Sequence, residues 1–325
     1  MTDHHELFDV IIIGAGPAGL ACAIEAKKQN LNYVVIEKGC LVNSIFHFPT
    51  DLTFFSTADL LEIGDVPFVL SAAKPKRRDV LNYYRRVAEY WGLRISLYES
   101  VLSVSGERGD LQVETNREGK YRTRNVVLAT GQFDSPRLMG IPGENLAKVN
   151  HYYVEAHAYF KKNVVVIGGK NSAVEAALDL YHHGAEVTLI HRGETFGKSV
   201  KYWILPDIEN RIKERKIQAH FQTEALQIKE DSMVVKSAAG EVWEIENDFV
   251  FAMTGYRPDI DFLRKMGVQF TNGDTPVHNP KTLETHVPGV YIAGVITAGS
   301  DGSKVFIENS RHHGAQIMGH ILNGK

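Results

Sequence analysis

The chain contains two glycine motifs of the same type. Each motif is followed, at the same distance, by a residue whose charge indicates which nucleotide would bind there. The first is Gly14-Ala-Gly-Pro-Ala-Gly19, and Glu37 lies 23 residues after its first glycine. The second begins at Gly168, with His191 and then Arg192 at that distance. A carboxylate there accepts hydrogen bonds from a ribose 2′-OH, whereas a basic residue favours a 2′-phosphate. The pair predicts one site for FAD and a second for NADPH.

The first motif lies within a strand, a tight turn, a helix and a second strand, which is the context that a dinucleotide site requires. Residues 9–13 form a continuous apolar run, a helical pattern covers 17–29, and another strand over 31–36 ends at Glu37. The three glycines make the turn, let the backbone approach the pyrophosphate, and let helix and strand pack closely. We predict cofactor contacts here at Gly14, Gly16, Pro17, Ala18, Gly19, Glu37 and Lys38.

An aromatic and polar stretch over residues 43–57 has no clean period. Two interpretations are open: a packed surface loop, or a loop that lies along the isoalloxazine ring of FAD. We favour the second, because ligand pockets are mostly apolar with a few polar groups. It predicts cofactor contacts at Phe46 and Pro49.

Alternating apolar and polar residues over 101–127, with turn residues between them, indicate a small β-meander. It ends in an apolar strand that closes on Ala129-Thr-Gly131. This ending is similar to the last element of the first FAD segment in flavoproteins with two dinucleotide sites. We therefore expect cofactor contacts at Val101, Thr130 and Gly131.

The second motif follows an apolar strand over 163–167 and departs from the usual pattern, because Lys170 replaces the second glycine and Ala173 the third. Asn171 or Ser172 is expected to cap the helix that follows, which runs to about residue 183. A strand over 186–190 then leads to His191 and Arg192. For Lys198 and Lys201, phosphate binding and a solvated surface position both remain open. The cofactor contacts predicted here are Gly168, Gly169, Asn171, Ser172, His191, Arg192 and Lys201.

The segment Val250-Phe-Ala-Met-Thr-Gly255 mirrors the earlier strand that closes on Ala-Thr-Gly, after a second alternating segment over 225–251. We take it as the end of an inserted domain. The chain then returns to the first domain through a strand over 290–295 and a final helix over about 305–322. The predicted fold is α/β, with an NADPH-binding domain (136–257) inserted in an FAD-binding domain (1–135 and 258–325). The remaining predicted contacts are Gly255, Gly294, Val295, Lys304 and Phe306.

Composition excludes several classes of protein. A net charge of −3 and a pI near 6.5 give no basic footprint for nucleic acid. No apolar run approaches the roughly 20 residues that span a bilayer, so we expect no membrane segment. The N-terminus lacks the basic region of a signal peptide, and two cysteines cannot form a disulfide scaffold; both suggest a reducing cytoplasm.

Histidines offer two kinds of candidate. The pairs at His4, His182 and His312 are followed by no carboxylate at metal spacing, so no metal site is predicted. His47 and His151 could serve as proton donors near the flavin, but for each we favour the role of a hydrogen-bonded structural histidine.

The arrangement as a whole resembles the low-molecular-weight thioredoxin reductase class, over nearly the entire chain. Within that class, motifs in both domains are similar to those of the bacillithiol disulfide reductase family. They lie at 54–55, 63–68, 168–175, 201–206, 251–256 and 306–309. The resemblance implies FAD, NADPH, and reduction of a low-molecular-weight disulfide or a small redox protein in bacteria. A homodimer is expected from the class.

Two departures bear on the acceptor. Thioredoxin reductases carry a CxxC pair before the second nucleotide strand, where this chain has His151-Tyr-Tyr-Val154; a dithiol relay is therefore excluded. The bacillithiol family shares that absence, but its members carry a cysteine, proposed as the catalytic thiol, where this chain has Ala18. Either disulfide reduction is not the activity, or reduced flavin acts directly. The alternatives are a ferredoxin–NADP reductase of the thioredoxin-reductase-like type and a non-enzymatic FAD/NADPH redox sensor.

Overall fold

The computed structural model describes residues 6–117, 119–271, 273–299 and 304–323. Within these ranges the chain forms two compact units. The first contains residues 6–47, 52–135 and 256–323, and the second contains 48–51 and 136–255. The histidine pair that begins at His4 lies outside the described residues.

The described strands and helices follow in chain order. The strands are β1 (Leu7–Phe8), β2 (Val10–Ile13), β3 (Tyr33–Ile36), β4 (Ile95–Ser96), β5 (Val101–Glu107), β6 (Asp110–Thr115), β7 (Lys120–Thr123), β8 (Val126–Leu128), β9 (Val149–Asn150), β10 (Asn163–Ile167), β11 (Glu186–Ile190), β12 (Gln218–His220), β13 (Thr223–Ile228), β14 (Ser232–Ser237), β15 (Val242–Glu246), β16 (Phe249–Ala252), β17 (Phe270–Thr271), β18 (Thr275–Pro276) and β19 (Val290–Ile292). The α-helices are α1 (Pro17–Lys28), α2 (Asn43–Phe46), α3 (Arg77–Trp91), α4 (Asn171–His182), α5 (Leu205–Lys213), α6 (Ile260–Lys265), α7 (Ile307–Ser310) and α8 (His313–Asn323). Short 3₁₀ helices lie at Asp59–Leu61, His157–Tyr159 and Gly294–Ala298.

A five-stranded parallel sheet organises the first unit, in the order β19-β8-β2-β3-β4. All four residues of β2 are buried, as expected for a strand covered on both faces. Helix α1 connects β2 to β3 on one side, whereas β8 pairs with β2 on the other side. This reversal of strand order opens a crevice at the carboxyl ends of β2 and β8, where ligands of such sheets bind.

The predicted meander over 101–127 is confirmed for the antiparallel strands β5, β6 and β7, to which β1 adds in parallel. Its last residues, 126–127, belong instead to β8 of the parallel sheet. Strands β17 and β18 form a separate antiparallel pair.

The second unit repeats the parallel arrangement, in the order β12-β11-β10-β16-β9, beside an antiparallel sheet of β13, β14 and β15. Strand β10 lies between β11 and β16, so the strand order again reverses at a glycine motif. The meander predicted over 225–251 is only partly right, because β16 leaves it and pairs in parallel with β10. The run Val250-Phe-Ala252 is buried throughout, which suits a strand covered on both faces. Two units that each carry a parallel sheet confirm the α/β fold class.

The final helix predicted over about 305–322 is interrupted, with α7 and α8 on either side of Arg311 and His312. Helix α8 packs against α1 so closely that a Cβ atom at Gly314 would lie 2.6 Å from the carbonyl oxygen of Ala21. A continuous helix was predicted because nothing local in the sequence marks this break. No helix in the described parts of the chain is long and apolar enough to cross a membrane.

Candidate functional site

The first glycine loop is tightly packed on one side and open on the other. A Cβ atom at Gly14, where φ is +108°, would lie 2.5 Å from the carbonyl oxygen of Ala129 in the loop after β8. At Gly16, by contrast, a Cβ atom would meet nothing within 4 Å. Gly16 precedes α1, Pro17 occupies the first turn, and no side chain caps the helix. Uncapped amide groups at the start of a helix are a site for a phosphate.

Glu37 closes the loop from the end of β3. Its side chain is buried, and its two carboxylate oxygens accept hydrogen bonds from the amides of Ala15 (2.7 Å) and Gly39 (2.8 Å). Burial raises the pKa of Glu37, and these two amides oppose that shift. Each carboxylate oxygen can accept more than one hydrogen bond, so the group retains capacity for ribose hydroxyls. Lys38, the next residue, forms an ion pair with Asp134 at 2.8 Å.

Two buried polar atoms after β8 have no hydrogen-bond partner among the described residues: Oγ1 of Thr130 and Oε1 of Gln132. Between them, Gly131 has φ of +70° and open space where a Cβ atom would be. Most buried polar atoms in proteins are hydrogen-bonded, so two such atoms beside an open glycine fit a bound polar ligand. Gln132 was missed at the sequence level, although it directly follows the Ala-Thr-Gly segment.

Gly294 brings together three elements beside the first turn of α1. Its φ is +83°, and a Cβ atom there would lie 3.0 Å from the Cβ of Ala18. Its amide donates to Nδ1 of His313 (3.1 Å), and its carbonyl accepts from Oγ1 of Thr297 (2.9 Å). Burial, together with the nearby His278 and His312, lowers the pKa of His313 to about 4. His313 is therefore neutral at neutral pH, as an acceptor must be. Val295, the next predicted contact, is partly buried.

The other predicted contacts of the first domain lie in varied surroundings. Phe46 is exposed, with the Arg77 guanidinium 5.3 Å from its ring centre. Val101 is buried within the apolar core under the sheet. Lys304 and Phe306 belong to a turn that Asn309 closes, because its side chain accepts from the Phe306 amide and donates to the Lys304 carbonyl. Pro49 is partly buried and falls in the short segment that groups with the second unit.

The second glycine loop repeats the packing of the first at one end. A Cβ atom at Gly168 (φ +145°) would lie 2.6 Å from the Met253 carbonyl oxygen. This close approach matches the one between Gly14 and the Ala129 carbonyl oxygen in the first loop. At Gly169 a Cβ atom would lie 2.4 Å from the ring of His191, so this imidazole lies directly across the loop. Burial lowers the pKa of His191, which keeps the ring neutral. Gly255, with φ of +94°, follows β16 at the same edge of the sheet.

The expectation that Asn171 or Ser172 caps α4 is wrong. Lys170 is the N-cap residue, and no side chain caps the helix. The Asn171 side chain instead accepts from the Lys201 amide (2.8 Å) and donates to the Ser199 carbonyl (2.9 Å). It thus fastens the segment 197–201 to the loop, while Ser172 is exposed on the open first turn.

The basic residues around the second loop divide into buried and exposed. Lys201 is buried and forms an ion pair with Glu175 of α4. Arg192 and Lys198 are exposed, and neither forms an ion pair with a carboxylate in the part of the chain that the structure describes. An exposed guanidinium at the carboxyl end of β11, beside an uncapped helix, fits a nucleotide with an additional phosphate.

His47 and His151, the predicted proton donors, belong to different units. His47 is exposed, and its ring packs edge-on against Phe46. Nε2 of His151 lies 3.8 Å from the Glu144 carboxylate, within the second unit. Both roles remain predictions.

Neither cysteine is suited to act as a thiolate. Cys22 is fully buried in α1, where burial raises the pKa of its thiol to about 12. Cys40 is partly buried, and burial together with the nearby Glu37 carboxylate raises the pKa of its thiol. Because a thiolate is the reactive form, both are held in the unreactive state.

Comparison with known proteins connects these features to one family. Residues 11–294 match the family model of the pyridine nucleotide-disulphide oxidoreductases. The chain is 47% identical to the bacilliredoxin reductase Bdr of Bacillus subtilis, over 96% of both chains. Two solved structures, both bacillithiol disulfide reductases Bdr (YpdA), align with a TM-score of 0.95. The Bacillus cereus protein is 45% identical over 98% of this chain and 100% of its own. The Staphylococcus aureus protein is 42% identical over 98% and 99%.

Proposed function

Because this chain belongs to the pyridine nucleotide-disulphide oxidoreductase family, we propose that it is an NADPH-dependent flavoenzyme that reduces bacillithiol disulfide without a CxxC relay. The family uses FAD and NADPH. The similarity to two proteins described as bacillithiol disulfide reductases supports the choice of acceptor. The observation that carries the proposal is the pair of glycine loops, one closed by the buried carboxylate of Glu37 and the other flanked by the exposed Arg192.

The first loop is assigned to FAD. Its open face at Gly16, the amides of α1, and the polar atoms of Thr130 and Gln132 fit a diphosphate and a ribityl chain. Glu37 is assigned to the adenosine ribose. The contacts proposed here are Gly14, Gly16, Pro17, Ala18, Gly19, Glu37, Lys38, Phe46, Pro49, Val101, Thr130, Gly131, Gln132, Gly294, Val295, Lys304 and Phe306.

The second loop is assigned to NADPH. Arg192 is exposed and available to a 2′-phosphate, and Lys198 is exposed as well. Lys201 holds Glu175, so its proposed part is to fix the loop through Asn171. The contacts proposed here are Gly168, Gly169, Asn171, Ser172, His191, Arg192, Lys201 and Gly255.

When bound, the flavin supplies the two-electron chemistry between nicotinamide and disulfide. The protein supplies binding, orientation and electrostatics. Position 18 offers a methyl group and no sulfur, so no mixed disulfide with the substrate can form there. Cys22 and Cys40 do not replace it, because their raised pKa values keep both as thiols. The reaction proposed for this chain therefore needs no protein thiol.

A second acceptor has specific support, because the Bacillus subtilis relative is described as a bacilliredoxin reductase. A small redox protein that carries a disulfide would offer the same type of bond for reduction as bacillithiol disulfide, on a larger molecule. The cytoplasm is the proposed location, supported by two free cysteines in the described residues. A homodimer is proposed from the class, and sedimentation equilibrium tests it.

The test is anaerobic NADPH consumption by the purified holoenzyme with four acceptors: bacillithiol disulfide, oxidised bacilliredoxin, oxidised thioredoxin and ferredoxin. We expect consumption with bacillithiol disulfide, with two thiols formed for each NADPH oxidised. Turnover with bacilliredoxin alone would identify the small redox protein, and not bacillithiol disulfide, as the electron acceptor. Turnover with ferredoxin alone would contradict disulfide reduction, and flavin that NADPH does not reduce would favour a sensor.

A further inference from the structure

Glu99 is a buried carboxylate that the proposed reaction does not use. Its residue is 2% exposed, and it lies between β4 and β5. Three hydroxyl groups donate to it: Oγ1 of Thr115 (2.7 Å), the phenol of Tyr121 (3.0 Å), and Oγ of Ser96. No lysine or arginine forms an ion pair with it within the described ranges. The three hydroxyl donors offset part of the free-energy cost of burying this acid, so the hydrogen bonds fix its position.

The turn that Glu99 stabilises lies directly against the end of β3. The amide of Glu37 donates to the Ser96 carbonyl (2.9 Å), and the amide of Glu99 donates to the Glu37 carbonyl (2.9 Å). The amide of Tyr98 donates to the Gly39 carbonyl (3.1 Å), with Tyr98 in a left-handed conformation at φ +56°. The turn 96–99 therefore holds the backbone of residues 37–39 at three points.

The same short segment carries the acid assigned to the ribose. Oε1 of Glu37 accepts from the amide of Gly39, and Oε2 accepts from the amide of Ala15 in the first glycine loop. A shift of the 37–39 backbone would move the carboxylate relative to that loop. The bond from Ser96 to Glu99 closes the turn, and the bonds from Thr115 and Tyr121 tie it to β6 and β7.

We propose that Glu99 is a positioning residue for FAD, because it holds the turn 96–99 that sets the backbone of Glu37 and Gly39. This role rests on the assignment of Glu37 to the adenosine ribose. It does not depend on the identity of the electron acceptor.

The experiment compares the FAD dissociation constant of the wild type with those of three single variants, measured from the fluorescence of FAD released when the holoenzyme is diluted. Glu99→Ala should raise the constant at least tenfold. Glu99→Gln keeps an acceptor oxygen and should stay within about threefold of the wild type. The control is Glu114→Ala, which removes a partly buried glutamate of β6 that pairs with Lys120 at 2.9 Å; it should not change the FAD dissociation constant.

A double-mutant cycle separates positioning from general loss of structure. If Glu99 acts through Glu37, Glu99→Ala should weaken FAD binding less than twofold in a Glu37→Gln background. NADPH affinity should not change in any variant. A tenfold loss that persists in the Glu37→Gln background, or a matching loss of NADPH affinity, would overturn the proposal.

Two results keep this proposal separate from the proposed function. If Glu37→Gln leaves FAD affinity unchanged, the assignment of Glu37 fails and the positioning role of Glu99 fails with it. If the wild type binds FAD but does not reduce bacillithiol disulfide, only the acceptor is wrong, and the cycle between Glu37 and Glu99 still tests the positioning role.

Discussion

A methyl group at Gly19 would lie 1.9 Å from the carbonyl oxygen of Gly14, so the first turn of α1 crosses the loop after β2 in direct backbone contact. Gly16, in the same motif, has open space at the corresponding point and an unstrained φ of −73°. The two glycines therefore serve different purposes, although the motif treats them alike. A side chain at position 19 would clash with the backbone of the fold, whereas a methyl group at position 16 would meet no atom of the described structure.

This difference predicts opposite results for two alanine variants. Gly19→Ala should lower the free energy of unfolding by more than about 2 kcal/mol, because backbone must move to admit the methyl group. Gly16→Ala should leave the stability of the FAD-free protein within about 0.5 kcal/mol of the wild type. It should nevertheless weaken FAD binding about tenfold or more. Thermal unfolding of the FAD-free protein and FAD titration measure the two effects, and a Gly16→Ala protein that binds FAD like the wild type would contradict the site.

Replacing Thr130 should affect stability and FAD binding in opposite directions. Thr130→Val removes a buried oxygen that has no partner in the described structure, so the FAD-free protein should be as stable as the wild type or more so. FAD affinity should fall about fivefold to tenfold, the equivalent of roughly 1 kcal/mol for one hydrogen bond. Thr123→Val is the matched control, because its buried hydroxyl donates to the Asn125 carbonyl at 2.8 Å. The control should lose stability, and equal losses of FAD affinity in both variants would contradict the role of Thr130.

Arg192 should set the preference between the two nicotinamide nucleotides. Arg192→Gln should raise the dissociation constant of NADPH about tenfold and leave that of NADH unchanged, because only NADPH carries the 2′-phosphate. The control is Lys213→Gln, an exposed cation at the end of α5. Isothermal titration of both nucleotides decides the point. Equal losses for NADPH and NADH would mean that Arg192 does not contact the 2′-phosphate.

His313 predicts a pH dependence of stability. Its pKa in the folded protein is about 4, below the usual value near 6.5, so the unfolded chain binds the extra proton first as pH falls. Because of this group, the free energy of unfolding should fall progressively as the pH is lowered from 6.5 to 4, by at most about 3 kcal/mol. His313→Gln should flatten this part of the stability curve. His157→Gln, at an exposed position in the second unit, should not, and an unchanged curve in His313→Gln would contradict the account.

Local features of the sequence were enough to predict most of the fold. Continuous apolar runs before Gly14 and Gly168 predicted the two buried strands, because burial on both faces leaves no polar positions. Glu37 and Arg192 each follow the first glycine of their own motif by about 24 residues, so the charge at each site is also a local signal. These signals depend on neighbours in sequence, and the structure confirms the parallel sheets that they predicted.

The features that the sequence did not predict depend on partners far along the chain. Asn171 was expected to cap its own helix, but residues 199–201 offer its side chain a donor and an acceptor. For Lys201, phosphate binding and a solvated surface position were both open, and the sequence did not predict that its ammonium group would pair with Glu175. The hydroxyl groups around Glu99 come from three separate strands, β4, β6 and β7. Nothing in the spacing of these residues reveals that they meet.

The most direct test of the central claim is the reoxidation of the NADPH-reduced holoenzyme by bacillithiol disulfide, followed without oxygen by flavin absorbance in a stopped-flow instrument. The account predicts full reduction by NADPH and then reoxidation at a rate that rises with disulfide concentration, although the chain has no thiol at Ala18. Flavin that NADPH reduces but the disulfide leaves reduced at every concentration would contradict a thiol-independent disulfide reductase.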